Sequence, residues 1–197
     1  MTKMPIYPTL KRVFDVTFSL MALIGMAPVL ALIALAIKVT SSGPVLIVKR
    51  RVGRGGRVIL LANFRTMYVD SLAVPSHFAH VAKDDPRITT VGAFLQRTSL
   101  DLLPQFYNVL IGDLSVIGPK PLFEYELDHL KPSQFERLVV RPGITGFWQL
   151  YGRRRKQFKF DEMIKMDMEY IHNQSFSLDF KILLGTVVTG FMGASAY

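Results

Sequence analysis

Residues Val16–Ile37 read VTFSLMALIGMAPVLALIALAI, which is 22 consecutive positions without a charged side chain. As one straight helix this run would extend about 33 Å, at about 1.5 Å per residue, and the hydrocarbon core of a bilayer is about 30 Å thick. Pro28 lies near the middle of the run. Proline interrupts a helix because it lacks an amide donor and clashes with the preceding turn. We therefore expect two helices with a bend at Pro28.

Basic residues flank this run on both sides. Lys3, Lys11 and Arg12 come before it, and after it come Lys38, Lys49, Arg50, Arg51, Arg54 and Arg57. Because basic residues favour the cytoplasmic side of a membrane, both ends are drawn to the same face. The pattern favours a monotopic protein with a re-entrant helix-break-helix. A proline-kinked transmembrane helix is the alternative, and a cleaved signal peptide is disfavoured because its apolar region is only about 7–15 residues long.

Two polar side chains lie at the start of the apolar run. A carboxylate exposed to lipid is costly, so we expect Asp15 to pair with Lys11 or Arg12, which are within one helical turn of it. We expect the Ser19 hydroxyl to bond a carbonyl that the helix break leaves without a partner, because lipid provides no water to do so.

The 197 residues include 24 basic and 15 acidic side chains, giving a net charge of +9, and no cysteine. This length fits one functional unit, which we divide into a membrane segment (1–40) and a cytoplasmic-face domain (41–197). The positive charge suits nucleic acid, anionic lipid or phosphorylated substrates. The apolar run and the lack of a nucleic-acid-binding fingerprint argue against nucleic acid as a partner. The lack of cysteine excludes disulfides, thiolate nucleophiles and cysteine-ligated zinc.

Periodicity and turn residues predict the elements after the membrane segment. Aliphatic stretches at Val45–Val48 and Val58–Leu61 flank the glycine-rich tip GRGG, which indicates a β-hairpin. Helices are predicted over Asp101–Ile111, Phe123–Leu138 and Phe160–His172, and the apolar tail from Ser177 to Tyr197 is expected to pack on the domain or rest in the membrane interface. The predicted fold class is therefore α/β and mostly helical, with interfacial amphipathic helices and a small β-hairpin or sheet.

Asp101 is the strongest catalytic candidate. We predict it as the N-cap of its helix, with Pro104 inside the first turn, where a missing amide costs least. A helix N-terminus favours an ionised carboxylate and attracts phosphate, so Asp101 can act as a nucleophile towards phosphorus. The more common role of an aspartate in this position is that of a structural cap, so its wider sequence context has to decide.

Six short motifs provide that context. They are KRVFD at 11–15, FRTM at 64–67, DPRIT at 85–89, TSLD at 98–101, GPKP at 118–121 and RPGITG at 141–146. In this order the motifs strongly resemble the bacterial sugar transferase family, the small monotopic phosphoglycosyl transferases. The resemblance extends from about Lys11 to Ile182, which is nearly the whole chain.

The resemblance implies transfer of a phosphosugar from a UDP-sugar to polyprenyl phosphate, with release of UMP, as the first membrane step of glycan assembly. It implies that Asp101 is the nucleophile and forms a covalent intermediate, and that Mg²⁺ assists with Asp101 as a ligand. The implied location is the cytoplasmic face of the bacterial inner membrane. The implied partners are the two substrates and membrane lipids, and a homo-oligomer is left open.

The same resemblance marks several substrate-binding candidates. Lys120 stands where the family's Gly-Pro-Arg-Pro has arginine, and a proline-bounded turn can present its cation to phosphate. The loop that begins at Arg141 is a candidate nucleotide site, because glycines allow close backbone approach and Arg153 can pair with phosphate. Trp148 fits packing better than base stacking. The full set of expected substrate-binding residues is Arg65, Arg97, Lys120, Arg141, Gly143, Gln149 and Arg153.

Two departures from the family pattern stand close to Asp101. Leu102 occupies the place of the usual glutamate, and Gln96 occupies the place of an arginine whose phosphate contact Arg97 would take over in part. Three acidic residues are near enough in sequence to compensate, although each fits a surface charge better: Asp113, Glu124 and Glu126. A catalytically weak or inactive homologue that acts as a scaffold is therefore an alternative. A basic membrane-binding protein without a substrate site is a second one, but it leaves the motifs unexplained.

Overall fold

A computed structural model describes residues 7–69, 85–152 and 159–191. The helices are α1 (Tyr7–Gly25), α2 (Ala27–Thr40), α3 (Thr90–Thr98), α4 (Gln105–Ile111), α5 (Phe160–His172) and α6 (Phe176–Phe191). The strands are β1 (Leu46–Val52), β2 (Val58–Phe64), β3 (Ser115–Ile117) and β4 (Gly143–Thr145). Short 3₁₀ or π segments lie between them. The predicted helical majority and small sheet are confirmed.

The two helices of the apolar run meet at the expected bend. α1 ends at Gly25, α2 begins at Ala27, and the angle between them is 61°. Pro28 lies in the first turn of α2, where its missing amide removes no intrahelical hydrogen bond. Taken by itself, none of the described helices has the length and hydropathy of a membrane span, and α1 and α2 satisfy both criteria only as a bent pair.

Asp15 anchors α1 to the rest of the protein, but not through the expected partners. Its carboxylate is buried and accepts hydrogen bonds from the Ser115 hydroxyl and the Val116 amide, both at 3.0 Å. Lys11 pairs instead with Asp179 of α6 at 2.8 Å. A direct hydrogen-bonded pair of Asp15 with Lys11 or Arg12 is not formed, because tertiary packing brings each of these side chains a different partner, although both positive charges still favour the ionised carboxylate.

Ser19 also differs from the expectation. Its hydroxyl is buried and makes no hydrogen bond. On either side of the bend, the Met26 amide bonds the Ala22 carbonyl at 2.9 Å and the Leu30 amide bonds the Met26 carbonyl at 2.8 Å. The expected bond from Ser19 to a carbonyl at the break is therefore wrong for the described residues.

β1 and β2 form the predicted hairpin, which is longer than the sequence pattern indicated. The strands are antiparallel and pair from Leu46 with Phe64 to Val52 with Val58. Burial alternates along β1 and along β2 as far as Asn63, so over this length each strand has an inner face towards the core and an outer face. Gly55 at the tip has a φ of 72°, a backbone conformation that glycine adopts readily.

Two predicted helices begin or continue differently. The helix predicted from Asp101 begins at Gln105, and Leu100–Leu102 forms a 3₁₀ turn instead. Amides in this turn bond carbonyls three residues earlier, from Leu103 to Leu100 at 3.2 Å and from Phe106 to Leu103 at 3.1 Å, which is the spacing of a 3₁₀-helix. The helix predicted over Phe123–Leu138 is two 3₁₀ segments, Glu124–His129 and Pro132–Val139, and the second begins at a proline. The prediction of Phe160–His172 is confirmed.

The core links the apolar run to the remainder of the chain. Ile33 and Ile37 of α2 pack with Phe64 of β2 and Leu95 of α3 in one buried cluster. α2, the hairpin and α3 therefore share one buried cluster. β3 and β4 are parallel, with Ser115 opposite Gly143 and Ile117 opposite Thr145, and they lie in a second cluster together with α5 and α6.

Candidate active site

Asp101 lies in the turn between α3 and α4. It is 8% exposed and belongs to the 3₁₀ turn that packs on β2. Gln105 follows Asp101 by four residues, and its side-chain amide donates to the Asn63 side-chain oxygen at 3.0 Å. Asn108 bonds the edge of β2 twice, because its oxygen accepts from the Ala62 amide at 3.0 Å and its nitrogen donates to the Leu60 carbonyl at 2.7 Å. These bonds fix α4, and the turn that precedes it, against the hairpin.

α3 is fixed on the other side of the same turn. Gly92 approaches the segment just after β2 so closely that a Cβ there would lie 2.0 Å from the Thr66 carbonyl oxygen, so only glycine allows this packing. Gln96 donates to the Thr66 hydroxyl at 2.8 Å. The residue that replaces the family's arginine therefore makes a structural hydrogen bond between α3 and the end of the hairpin.

Lys49 is a candidate site residue that sequence reasoning missed. It is half-buried on the inner face of β1, directly opposite Leu61 and diagonal to Asn63, the residue that Gln105 binds. Burial lowers the pKa of Lys49, and the negative charge of Asp101 opposes that shift. Strand alternation was the available signal, because lysine is uncommon at the inward-facing positions of a strand.

The acidic residues near Asp101 in sequence are engaged elsewhere. Asp113 pairs with Arg57 at 2.7 Å and Glu124 with Arg50 at 2.8 Å. Glu126 accepts the Phe123 amide at 2.7 Å, as a cap of its own segment. Neither Asp113 nor Glu126 is therefore available to replace the missing glutamate, and Glu124 already holds a surface arginine.

The described residues contain no group of three or more His, Asp or Glu side chains that would hold a metal ion. Mg²⁺ commonly binds one or two carboxylates and completes its coordination with substrate phosphates and water. A single carboxylate at Asp101 fits such a site, because a diphosphate substrate and water supply the other ligands.

Arg65 lies at the end of α2. It is 1% exposed, and one guanidinium nitrogen donates to both the carbonyl and the hydroxyl of Ser41, each at 2.8 Å. Ser41 is the C-cap of α2, so the cation of Arg65 faces the negative end of the helix dipole. Its other two nitrogens are buried without a hydrogen bond among the described residues.

Arg97 and Arg141 lie at different ends of the site region. Arg97 is exposed in the last turn of α3, four residues before Asp101. Arg141 donates to the Gly112 carbonyl at 2.9 Å, just beyond the C-terminal end of α4. A helix of this length extends about 10 Å, so Arg141 and Asp101 are at opposite ends of α4. Burial and the positive charge of Arg12 lower the pKa of Arg141.

Gly143 serves backbone packing. A Cβ on Gly143 would lie 2.1 Å from the Gly118 amide nitrogen, and one on Gly146 would lie 2.0 Å from the Gly118 carbonyl oxygen. The glycines of the GPKP and RPGITG motifs therefore let these two segments approach each other. The sequence predicts that Gly143 allows close approach of a nucleotide, and the close approach that the structure shows is to Gly118.

Lys120 lies beside a buried ion pair that the sequence did not reveal. Arg137 donates to Asp167 at 2.5 Å and to the Lys120 carbonyl at 2.9 Å, and both charged side chains are almost fully buried. Burial raises the pKa of Asp167 to about 7, against the opposing charge of Arg137. This pair fixes the backbone of the GPKP turn from which the Lys120 side chain projects.

The remaining candidates follow β4. Trp148 is 6% exposed, belongs to a buried cluster and lies against Gly152, so its interpretation as a packing residue is confirmed. The Gln149 side-chain oxygen is buried without a hydrogen bond among the described residues. Arg153, and with it the basic run from 153 to 156, lies outside the described residues.

Comparison with known sequences covers nearly the whole chain. A family model described as "Bacterial sugar transferase" matches residues 6–193. The UDP-glucose:undecaprenyl-phosphate glucose-1-phosphate transferase of Escherichia coli (strain K12) is 39% identical over 95% of this chain and 41% of its own length. The undecaprenyl-phosphate galactose phosphotransferase of Salmonella typhimurium is 39% identical over 90% of this chain and 39% of its own length.

A shorter relative has nearly the same extent as this chain. The exopolysaccharide production protein PSS of Rhizobium leguminosarum bv. phaseoli is 41% identical over 91% of this chain and 94% of its own length. The chain thus spans about two fifths of the two named transferases and almost all of the exopolysaccharide production protein.

Proposed function

This chain belongs to the bacterial sugar transferase family, and we propose from that membership that it transfers a sugar phosphate from a UDP-sugar to polyprenyl phosphate. The products are UMP and a polyprenyl diphosphate sugar. Two relatives are named for sugar phosphate transfer to undecaprenyl phosphate and a third for exopolysaccharide production. The observation that carries the proposal is a buried carboxylate, Asp101, in the turn that packs on β2 within the matched region.

The reaction takes two displacements. In the first, a carboxylate oxygen of Asp101 attacks the sugar-linked phosphorus, the bond from that phosphorus to the bridging oxygen breaks, and UMP leaves with the electron pair. In the second, an oxygen of polyprenyl phosphate attacks the same phosphorus and releases the carboxylate. The covalent intermediate divides one difficult transfer into two easier steps. The side-chain bonds of Gln105 and Asn108 hold the turn in place for both.

A divalent cation, Mg²⁺, would be held by Asp101 together with the donor diphosphate, and it would screen the repulsion between these anions. The chain's own residues bind and orient the donor and exclude water. Asp101 is 92% shielded from solvent, and Leu100 and Leu103 on either side pack against the α2 cluster. The attacking carboxylate therefore lies in a partly apolar setting that limits competing hydrolysis.

The same packing supports a membrane location for the reaction. Leu100 and Leu103 contact the cluster that contains Ile33 and Ile37, so the turn of Asp101 adjoins the apolar run directly. A re-entrant α1–α2 pair, bent at Pro28, would bring this turn to the surface of the membrane where the polyprenyl phosphate headgroup lies. We propose a monotopic protein on the cytoplasmic face of the bacterial inner membrane that starts the assembly of a glycan.

The test is UMP release by the purified full chain from a panel of UDP-sugars with polyprenyl phosphate and Mg²⁺. We expect release with at least one sugar, and we expect Asp101→Asn to reduce the rate by at least about a thousandfold, because an amide is a poor nucleophile. Asp113→Asn is the matched control, since Asp113 is a surface carboxylate paired with Arg57. Activity retained in Asp101→Asn would exclude Asp101 as the nucleophile.

A second candidate is a catalytically weak or inactive homologue that acts as a scaffold. Leu102 favours it, because the family's second carboxylate is absent beside Asp101. No UMP release across the whole sugar panel, from protein with a cooperative unfolding transition, would support the scaffold and contradict the transferase.

A further inference from the structure

The inner face of β1 presents two cations towards the core, and they have different surroundings. Arg51 lies over the Phe123 ring, 3.5 Å from its centroid, and donates to the Arg50 carbonyl at 2.7 Å. Lys49, two residues earlier on the same face, has no hydrogen bond or ion pair to another residue in the described part of the chain. Arg51 therefore has structural partners, whereas the ammonium group of Lys49 has no hydrogen-bond acceptor among the described residues.

Three contacts place Lys49 next to the turn of Asp101. Leu61 lies opposite Lys49 in the hairpin, and the next inward residue of β2 is Asn63. Asn63 accepts from Gln105, which follows Asp101 by four residues. β2 also packs directly on the 3₁₀ turn. Lys49 and the turn of Asp101 thus lie on the same side of the hairpin. The negative charge of Asp101 favours the protonated ammonium of Lys49.

The site needs such a cation. A donor diphosphate brings negative charge up to the Asp101 carboxylate, and the described residues supply no acidic cluster to hold a metal ion without substrate. Gln96, which stands in the place of a family arginine, is neutral and bonded to Thr66. A lysine ammonium presents three donors on a flexible stem and binds phosphate as a point charge.

We propose that Lys49 is a substrate-binding residue, whose ammonium contacts the donor diphosphate beside Asp101 and provides affinity for the nucleotide that does not depend on Mg²⁺. The inference rests on the proposed function, since it assigns the diphosphate of that donor to a particular side chain. It also explains how a site with one carboxylate binds a diphosphate without a second acidic residue to recruit metal.

The experiment measures UDP binding to the purified full chain in detergent by calorimetry, first with EDTA and then with Mg²⁺. Lys49→Met removes the cation and keeps the length of the stem, and Lys49→Arg keeps the charge. Arg50→Met is the matched control, because Arg50 is the next residue on the strand, lies on the outer face and makes an exposed pair with Glu124. Lys49→Gln replaces Lys49→Met if the latter lacks a cooperative unfolding transition.

We expect Lys49→Met to weaken UDP binding in EDTA by about tenfold or more, the usual cost of losing a hydrogen bond to a charged group. Lys49→Arg is expected to keep most of the affinity, Arg50→Met to stay within about twofold, and the KM for the UDP-sugar to rise more than kcat falls in Lys49→Met. If Lys49→Met binds UDP as tightly as the unaltered chain, the inference is overturned and the proposed function is not. The same holds if Arg50→Met loses as much UDP affinity as Lys49→Met. An unaltered chain that binds no UDP with or without Mg²⁺ overturns the inference and the proposed function together.

Discussion

The two ends of α4 use charge in different ways. At the N-terminal end, Asp101 lies in a turn that packs on β2 and is held by neutral side chains, and its negative charge acts on Lys49 of β1. At the C-terminal end, Arg12 donates to the Val109 carbonyl at 2.7 Å and to the Leu110 carbonyl at 2.9 Å, and Arg141 donates to Gly112 at 2.9 Å. The arginines satisfy the free carbonyls and the negative dipole of the helix end. Cations at one end therefore stabilise the fold, and the role that we propose for the cation at the other end is to bind substrate.

Charged side chains also have a structural role beside the GPKP turn, where a buried ion pair fixes the backbone. Arg137 joins Asp167 to the Lys120 carbonyl, and Gly118 packs against Gly143. Substitutions in this region should change stability far more than substrate affinity. Substitutions around Asp101 should do the reverse, and the following predictions test that contrast.

The largest loss of stability should come from Arg137→Met. It leaves the buried carboxylate of Asp167 without its cation, which typically costs about 3–5 kcal/mol of the free energy of unfolding. Urea unfolding of the full chain in detergent measures the loss. The double variant Arg137→Met with Asp167→Leu should recover much of it, because no charge remains buried. A single variant as stable as the unaltered chain would show that the pair carries no structural charge.

The same pair also predicts a pH dependence of the free energy of unfolding. Burial raises the pKa of Asp167 to about 7, above the ordinary value of 3.8, so the folded protein holds this proton more tightly than the unfolded chain. The contribution to stability is complete below about pH 4 and is lost as pH rises to about 7 and beyond. The free energy of unfolding of the unaltered chain should therefore fall relative to Asp167→Asn over that range. Parallel pH curves for the two proteins would contradict the assignment.

Arg12→Met tests the structural end of α4 itself. Loss of two charged hydrogen bonds to helix carbonyls should reduce the free energy of unfolding by about 1–3 kcal/mol. UDP affinity should stay within about twofold of the unaltered chain, since Arg12 is remote from Asp101. A tenfold loss of UDP affinity in a stably folded Arg12→Met would mean that this end also binds substrate.

The smallest effect expected is that of Leu102→Glu at the nucleophile end. Leu102 follows Asp101 in the 3₁₀ turn, and a glutamate there restores the second carboxylate of the family pattern. We expect a severalfold higher rate of UMP release and saturation at a lower Mg²⁺ concentration. An unchanged or lower rate would indicate that the single carboxylate does not limit the chemistry.

Local patterns predicted those parts of the fold that depend on neighbouring residues in sequence. The hairpin follows from aliphatic strands around a glycine-rich tip, the bend from Pro28, and α5 from its apolar spacing. The start of α4 differs from the prediction because Leu100–Leu102 forms a 3₁₀ turn with bonds to carbonyls three residues earlier, and apolar spacing does not distinguish such a turn from the first turn of an α-helix.

Long-range contacts account for the rest of the differences. Asp15 has neighbouring lysine and arginine in sequence, yet its partners are Ser115 and Val116, about a hundred positions away. Lys49 reads as one of several flanking basic residues until the strand register places it on the inner face. The match to the family motifs identified Asp101, but its environment depends on how the hairpin, α3 and α4 pack together.

The most direct measurement of the central claim is mass spectrometry of the full chain after brief incubation with a UDP-sugar in the absence of polyprenyl phosphate. The account predicts an added mass of one sugar phosphate on the peptide that contains Asp101, its absence in Asp101→Asn, and its disappearance when polyprenyl phosphate is added. Continued UMP release with no such adduct, or an adduct that maps to another residue, would contradict it.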